Sequence, residues 1–201
     1  KKKKKISIYE YINNDWDNKY LSKELVMCNY CYNLITDKHF FGLYTMPLFS
    51  KVFCNELLKD LKKFTGFTSD RHIYYKTNDI LLVDYNKKLF NIYDSILRNI
   101  MLQFIQKIYT QELNEKLFYH ETFIVRYKPE NQSHLNPHHD TSVFSCITSL
   151  SPQSDYEGGG TYFVNENYFL KPKQGDVAVH PGALTHRHGV RPVTKGERYV
   201  I

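Results

Sequence analysis

The stretch His138–Arg198 reads HHDTSVFSCITSLSPQSDYEGGGTYFVNENYFLKPKQGDVAVHPGALTHRHGVRPVTKGER, and its pattern decides the fold. Short apolar runs recur through it at Val143–Leu150, Gly160–Val164, Tyr168–Leu170 and Asp176–His180, with Glu197–Ile201 beyond. Pro152, Gly158–Gly160, Pro172, Gly175, Gly182, Gly189 and Gly196 punctuate them. Many short strands separated by Gly and Pro turns predict a barrel or two-sheet β fold. Just upstream, Thr122–Tyr127 alternates, with Phe123, Val125 and Tyr127 on one face and Ile124 and Arg126 on the other.

The pattern changes before Phe118. Lys87–Tyr109 carries Phe90, Tyr93, Leu97, Met101, Phe104 and Ile108 at helical spacing, which predicts an amphipathic helix packed on a sheet. Ser50–Phe64 predicts a second helix, with Ser50 as N-cap and Gly66 as its stop. Phe40–Pro47 reads as extended, Tyr74–Tyr85 as irregular or strand, and a short helix is expected near Lys19–Val26. The expected organisation is a linker and packing segment at 1–36, a helical support region at 37–115 and a β core at 116–201. Together these form one globular unit of α+β class, cut from a longer chain. Its 201 residues suffice for one substantial core.

The net charge of +6 comes largely from Lys1–Lys5, which reads as a solvated linker; the rest is close to neutral, so no nucleic-acid partner is expected. No apolar run reaches the length of a membrane span. Four cysteines are too few for a disulfide scaffold. Cys28-x-x-Cys31 has no second half for a zinc ribbon, leaving a local disulfide or plain thiols.

Chemistry concentrates at the two ends of the opening stretch. His138 and Asp140 stand two residues apart, so on an extended backbone they share a face while His139 points away. LTHRHG offers His186 and His188 as a third ligand. Two imidazoles and one carboxylate on one side of a metal form the facial triad of non-haem Fe(II) oxygenases, whose open positions suit a bidentate 2-oxo acid and dioxygen. Zinc hydrolysis is the weaker fit, because HExxH is absent. Arg198 follows His188 by ten residues on the next predicted strand and could grip the far carboxylate of a dicarboxylic co-substrate. Tyr127 could add a second donor. Asp155 and Glu157, in DYEGGG, are candidates to hold a substrate ammonium, and the three glycines allow close backbone approach. His134, His139 and His180 offer an accessory metal site or structural roles, the latter favoured. Leu184 reads as a lid or dimer contact.

Phe123–Ser145 (FIVRYKPENQSHLNPHHDTSVFS), Asp155–Phe163 (DYEGGGTYF) and His180–Tyr199 (HPGALTHRHGVRPVTKGERY) resemble the catalytic domain of procollagen lysyl hydroxylases, in a form similar to that of giant viruses. The resemblance implies a double-stranded β-helix, or jelly roll, with flanking N-terminal helices. It implies iron ligation by His138, Asp140 and His188, the step to Arg198 favouring His188 over His186, and 2-oxoglutarate binding by Arg198 and Tyr127. The implied cofactors are Fe(II), 2-oxoglutarate and L-ascorbate, and the implied substrate is lysine in collagen-like Gly-X-Lys sequences, hydroxylated at C5. A homodimer is implied too, with glycosyltransferase domains ahead of this region in long members. Animal members are expected in the endoplasmic reticulum lumen and a viral form in host cell or virion. Two departures stand out: Ile147 replaces an asparagine common in animal enzymes, and the sequence stops before the family's last few residues, so the final strand is expected to be incomplete. The same residues also fit a peptidyl-prolyl hydroxylase or a non-catalytic collagen-binding module.

Overall fold

The computed structural model describes residues 6–12, 14–29, 31–109 and 121–201. The lysine run and the expected 115/116 boundary lie outside them. The chain opens with α1 (Asn14–Tyr20) and α2 (Lys23–Met27), where a single helix was expected. The break comes at Leu21–Ser22: the Ser22 N–H donates to the Leu48 carbonyl at 2.9 Å, and its hydroxyl caps α2 at the Leu25 N–H. Then come β1 (Asp37–Phe40) and β2 (Leu43–Pro47), a hairpin turning at Gly42 with φ +83°, and α3 (Lys51–Leu61), capped as expected by Ser50. Tyr74–Tyr85 splits into β3 (Asp79–Leu81) and a helical turn, α4 (Leu82–Tyr85), because Asn86 then caps α5 (Lys87–Ile96). A π-helical turn at Leu97–Met101 links α5 to α6 (Leu102–Tyr109), so the long amphipathic helix forms with one widened turn.

The β core follows as β4 (Phe123–Tyr127), β5 (Leu135–His138), β6 (Phe144–Thr148), β7 (Tyr156–Gly158), β8 (Thr161–Phe163), β9 (Tyr168–Leu170), β10 (Asp176–Pro181), β11 (His188–Val190), β12 (Val193–Gly196) and β13 (Arg198–Val200). One face is the sheet β1-β2-β10-β6, to which β13-β4-β3 is stitched by reciprocal bonds between Thr148 and Ile201. The other is β5-β11-β8-β9, continued by β12-β7 through Arg191 N–H to the Gly160 carbonyl. This is a jelly-roll core with N-terminal helices. The strand pairs are antiparallel throughout.

Three apolar clusters hold it. The largest lies between the helices and the outer face of the first sheet, where Trp16, Phe53, Leu57, Leu89 and Phe104 meet Val177 and Val179. Inside the roll, one small cluster gathers Val125, Tyr127, Tyr156, Val193 and Val200, and another Leu43, Phe163, Leu170 and Ala178. Ile147 packs against both and so links the two clusters. All four cysteines are free.

Candidate metal and co-substrate site

The site is built by strand register. In the antiparallel pair β5 and β11, His138 lies directly opposite His188, so the two imidazoles project from one face with ring centroids 4.6 Å apart. Asp140 lies just past the end of β5, where its N–H donates to the Gly182 carbonyl at 3.1 Å. Its carboxylate oxygens stand 3.2 Å from His138 Nε2 and 3.7 Å from His188 Nε2. One ligand atom from each residue falls within 4.8 Å of the others, an arrangement able to hold a metal ion.

The surrounding groups set the tautomers. His138 Nδ1 donates to the Asn136 carbonyl and His188 Nδ1 to the His186 carbonyl, each at 2.9 Å, so both Nε2 atoms face the centre. Ser145 donates to Asp140 Oδ2, the oxygen on the His188 side, and is itself linked to Ser142. Burial alone would raise the Asp140 carboxyl, but the His138 hydrogen bond, nearby His188 and Ser145 hold it well below the usual carboxylate range. Burial depresses His188 despite Asp140; at His138 burial is also the largest single influence and pulls downward, but the Asp140 hydrogen bond, the Asn136 carbonyl and the Asp140 charge together outweigh it and raise the imidazole. A cation at the centre would displace the proton that His138 and Asp140 share.

The neighbouring histidines have other work. His139 is exposed. His186 uses both nitrogens, with Thr185 Oγ1 at 2.7 Å and the Phe41 carbonyl at 3.0 Å, and stacks on Phe40. His134 is exposed beside Ser133. His180 is fully buried, donates from Nδ1 to the Pro181 carbonyl, and packs edge-on against His188. Burial, then His188, pushes it down to about 3, so it stays a neutral wall of the site.

Arg198 completes the cradle. It pairs in register with Tyr127 across β13 and β4, and its guanidinium lies 5.4 Å from the Tyr127 ring. Arg198 is only 2% exposed, its Nη1 has no hydrogen-bond partner, and among the described residues no carboxylate lies within ion-pair distance of it. A buried cation with an unused N–H is costly unless an anion joins it. Burial pushes the Tyr127 hydroxyl up to about 12 against the pull of Arg198, so Tyr127 remains a donor.

Other expected contacts lie elsewhere. Asp155 pairs with Lys62 at 3.2 Å and Glu157 with Lys195 at 3.1 Å; neither touches His138, Asp140 or His188. The glycines of DYEGGG do allow close approach, but to the fold itself. A Cβ on Gly158 would meet the Pro192 carbonyl at 2.1 Å, and one on Gly159 would meet the Tyr156 ring at 2.9 Å and Arg198 Cδ at 3.2 Å. Leu184 is 90% exposed. Tyr75, which the sequence did not single out, lays its ring beside His138 at 5.0 Å; no spacing signal marks it.

Residues 122–201 match the family model described as the 2OG-Fe(II) oxygenase superfamily. This segment is a 2OG-Fe(II) oxygenase domain. The chain is 30% identical over 208 residues to human procollagen-lysine,2-oxoglutarate 5-dioxygenase 1, covering 96% of this chain and 28% of that protein. It is 32% identical over 173 residues to the human multifunctional procollagen lysine hydroxylase and glycosyltransferase LH3, covering 79% and 23%. The chain thus spans under a third of these relatives. Its fold is similar to the Pseudomonas putida prolyl-4-hydroxylase (TM-score 0.61, 15% identity, 79% of this chain and 89% of that one). It is similar also to the viral collagen prolyl hydroxylase of Paramecium Bursaria Chlorella virus-1 in its 2OG complex (TM-score 0.57, 18% identity, 79% and 92%). The superfamily uses Fe(II) and 2-oxoglutarate, and the oxygenase domain here fits both: His138, Asp140 and His188 as the donor set for ferrous iron, and the unpartnered Arg198 N–H for a carboxylate.

Proposed function

We propose that this protein hydroxylates lysine at C5 in collagen-like Gly-X-Lys peptides. Lysine, dioxygen and 2-oxoglutarate give 5-hydroxylysine, succinate and CO2, one oxygen atom entering lysine and the other succinate. The observation that carries the reading is the His138–Asp140–His188 cluster together with a buried Arg198 that has an unpartnered N–H, in a chain that aligns over 96% of its length with a lysyl hydroxylase relative.

Each group then has a role. His138, Asp140 and His188 would hold the iron, which supplies the oxidative chemistry when bound. Arg198, with the Tyr127 hydroxyl, would bind the far carboxylate of 2-oxoglutarate and so fix its orientation. Ser145 and the Asn136 and His186 carbonyls hold the ligands in their binding tautomers and rotamers. His180 and Phe163 wall the site with groups that carry no charge near neutral pH. Ascorbate would keep the iron ferrous, and a homodimer is the expected assembly.

Prolyl hydroxylation is the second reading, favoured by the fold of the two solved neighbours. Mass spectrometry of Gly-X-Lys and Gly-Pro peptides incubated with protein, Fe(II), 2-oxoglutarate and ascorbate separates them. Added oxygen on proline with none on lysine overturns the proposal. Fe(II)-dependent succinate formation that survives His138→Ala and Asp140→Ala would reject the metal assignment.

A further inference from the structure

A cleft of about 270 Å³ opens beside the metal site, between the segment Ile73–Lys76 and strand β5 with the residues leading into it. Three of its lining side chains are apolar or aromatic and strongly exposed: Ile73 at 79%, Tyr74 at 89% and Tyr75 at 44%. Large rings standing in water in this way mark an interaction surface more often than a fold requirement. Leu135 adds a further apolar side chain, among polar neighbours that include Gln132, His134 and Asn136.

Two features connect the cleft to the chemistry. Tyr75 lines it and also lays its ring against His138, centroid to centroid at 5.0 Å and tilted by 33°. Asn136, also in the lining, gives the carbonyl that orients His138 Nδ1. A ligand in the cleft therefore reaches the rim of the metal pocket. In addition, β5 is the edge strand of its sheet, so one side has no strand partner in that sheet. An edge strand beside a row of exposed rings suits an extended chain.

The lining also says what does not bind there. Its basic members are Lys76 and His134, and among the described lining residues there is no carboxylate. The ammonium of a target lysine finds no counter-charge in this cleft, so the cleft suits residues flanking the target. Proline-bearing chains in the polyproline II form dock against aromatic grooves, and collagen-like chains adopt that form.

We propose that the cleft binds the extended, proline-containing segment adjoining the target lysine of a collagen-like peptide, its pyrrolidine rings packing on Tyr74 and Tyr75. The identity of the peptide rests on the lysyl hydroxylase reading above. Proline next to the target would then be a positive determinant of which lysines are chosen.

Fluorescence anisotropy with labelled Gly-Pro-Lys and Gly-Ala-Lys repeat peptides tests the cleft without turnover. The parent protein should bind the proline peptide at least about fivefold more tightly. Tyr74→Ala and Tyr75→Ala should each lose about fivefold of that affinity and much of the preference, while Tyr75→Phe retains both. Tyr74 is almost wholly exposed, so its replacement leaves the core intact. Equal affinity for the two peptides, or alanine variants that bind as the parent does, overturns the proposal. Mass spectrometry of the same peptides after turnover reads the enzyme function separately. Binding by the cleft with lysine left unmodified refutes the function and keeps the cleft. Hydroxylated lysine with no effect of either alanine variant does the reverse.

Discussion

Arg198→Met separates the cost of the buried guanidinium from its use. Arg198 is 2% exposed, with one N–H unpartnered and Tyr127 as its ring neighbour. Replacing a buried, poorly compensated charge by an apolar side chain of similar length is often neutral or stabilising. The ligand-free variant should therefore melt at or above the parent's Tm. Binding moves the other way. Hydrogen bonds to a charged group are worth about 1.5–3 kcal/mol, so loss of the arginine clamp should cost about 2–3 kcal/mol net. At about 1.4 kcal/mol per factor of ten, that is roughly a 30–150-fold rise in the KM for 2-oxoglutarate. The checks are succinate formation against 2-oxoglutarate concentration, and thermal melts with and without 2-oxoglutarate and Mn(II). A KM within threefold of the parent's would remove Arg198 from the co-substrate site. A marked fall in the ligand-free Tm would show that its charge is compensated within the fold.

Three further outcomes are expected. Gly182→Ala puts a Cβ 2.4 Å from the Ser142 carbonyl oxygen and 3.0 Å from Asp140 Cβ, so metal affinity measured by Mn(II) titration should fall about 10–100-fold; a change under threefold counts against it. Ser145→Ala frees one Asp140 oxygen and should weaken the same titration about tenfold, with the melting curve little altered; an unaltered affinity would show that Asp140 needs no support from Ser145. Burial raises Asp176 to about 6 in the folded chain, so between the ordinary value of 3.8 and 6 the native state holds more protons than the unfolded one, and stability falls as pH rises through that window. Discounted for partial exposure, the cost at pH 7.5 is about 1 kcal/mol. Asp176→Asn should accordingly raise Tm by about 2–4 °C at pH 7.5 and leave it unchanged near pH 4, and an equal gain at both would refute the assignment.

Much of this was legible in the chain. Parity separates His138 and Asp140 from His139, and Gly and Pro spacing marks the strands Thr161–Phe163, Tyr168–Leu170 and Asp176–Pro181 closely. Ser50 and the long apolar face of Lys87–Tyr109 announce the helices they form. What sequence could not give was register between distant segments. That His138 faces His188 comes from one ladder, and that Tyr127 faces Arg198 comes from another. Strands of three or four residues such as His188–Val190 carry too few positions to show alternation. Nor does local sequence say that Lys62, just past the end of α3 far upstream, pairs with Asp155, or that the glycines of DYEGGG make room for Pro192 and Arg198.

The pairing of β4 with β13 has a consequence for folding. It joins segments from opposite ends of the oxygenase domain, the stitching of Thr148 to Ile201 adds a second long-range closure, and such distant closures are slow because their chain entropy is lost before their contacts form. The Arg198–Tyr127 pair proposed to hold 2-oxoglutarate is brought together by that closure. A co-substrate that binds the closed roll and not its precursors adds its binding free energy to the last step of assembly. Supply of the co-substrate would then set how much closed chain survives, through a pairing separate from the β5–β11 ladder that brings His138 and His188 together.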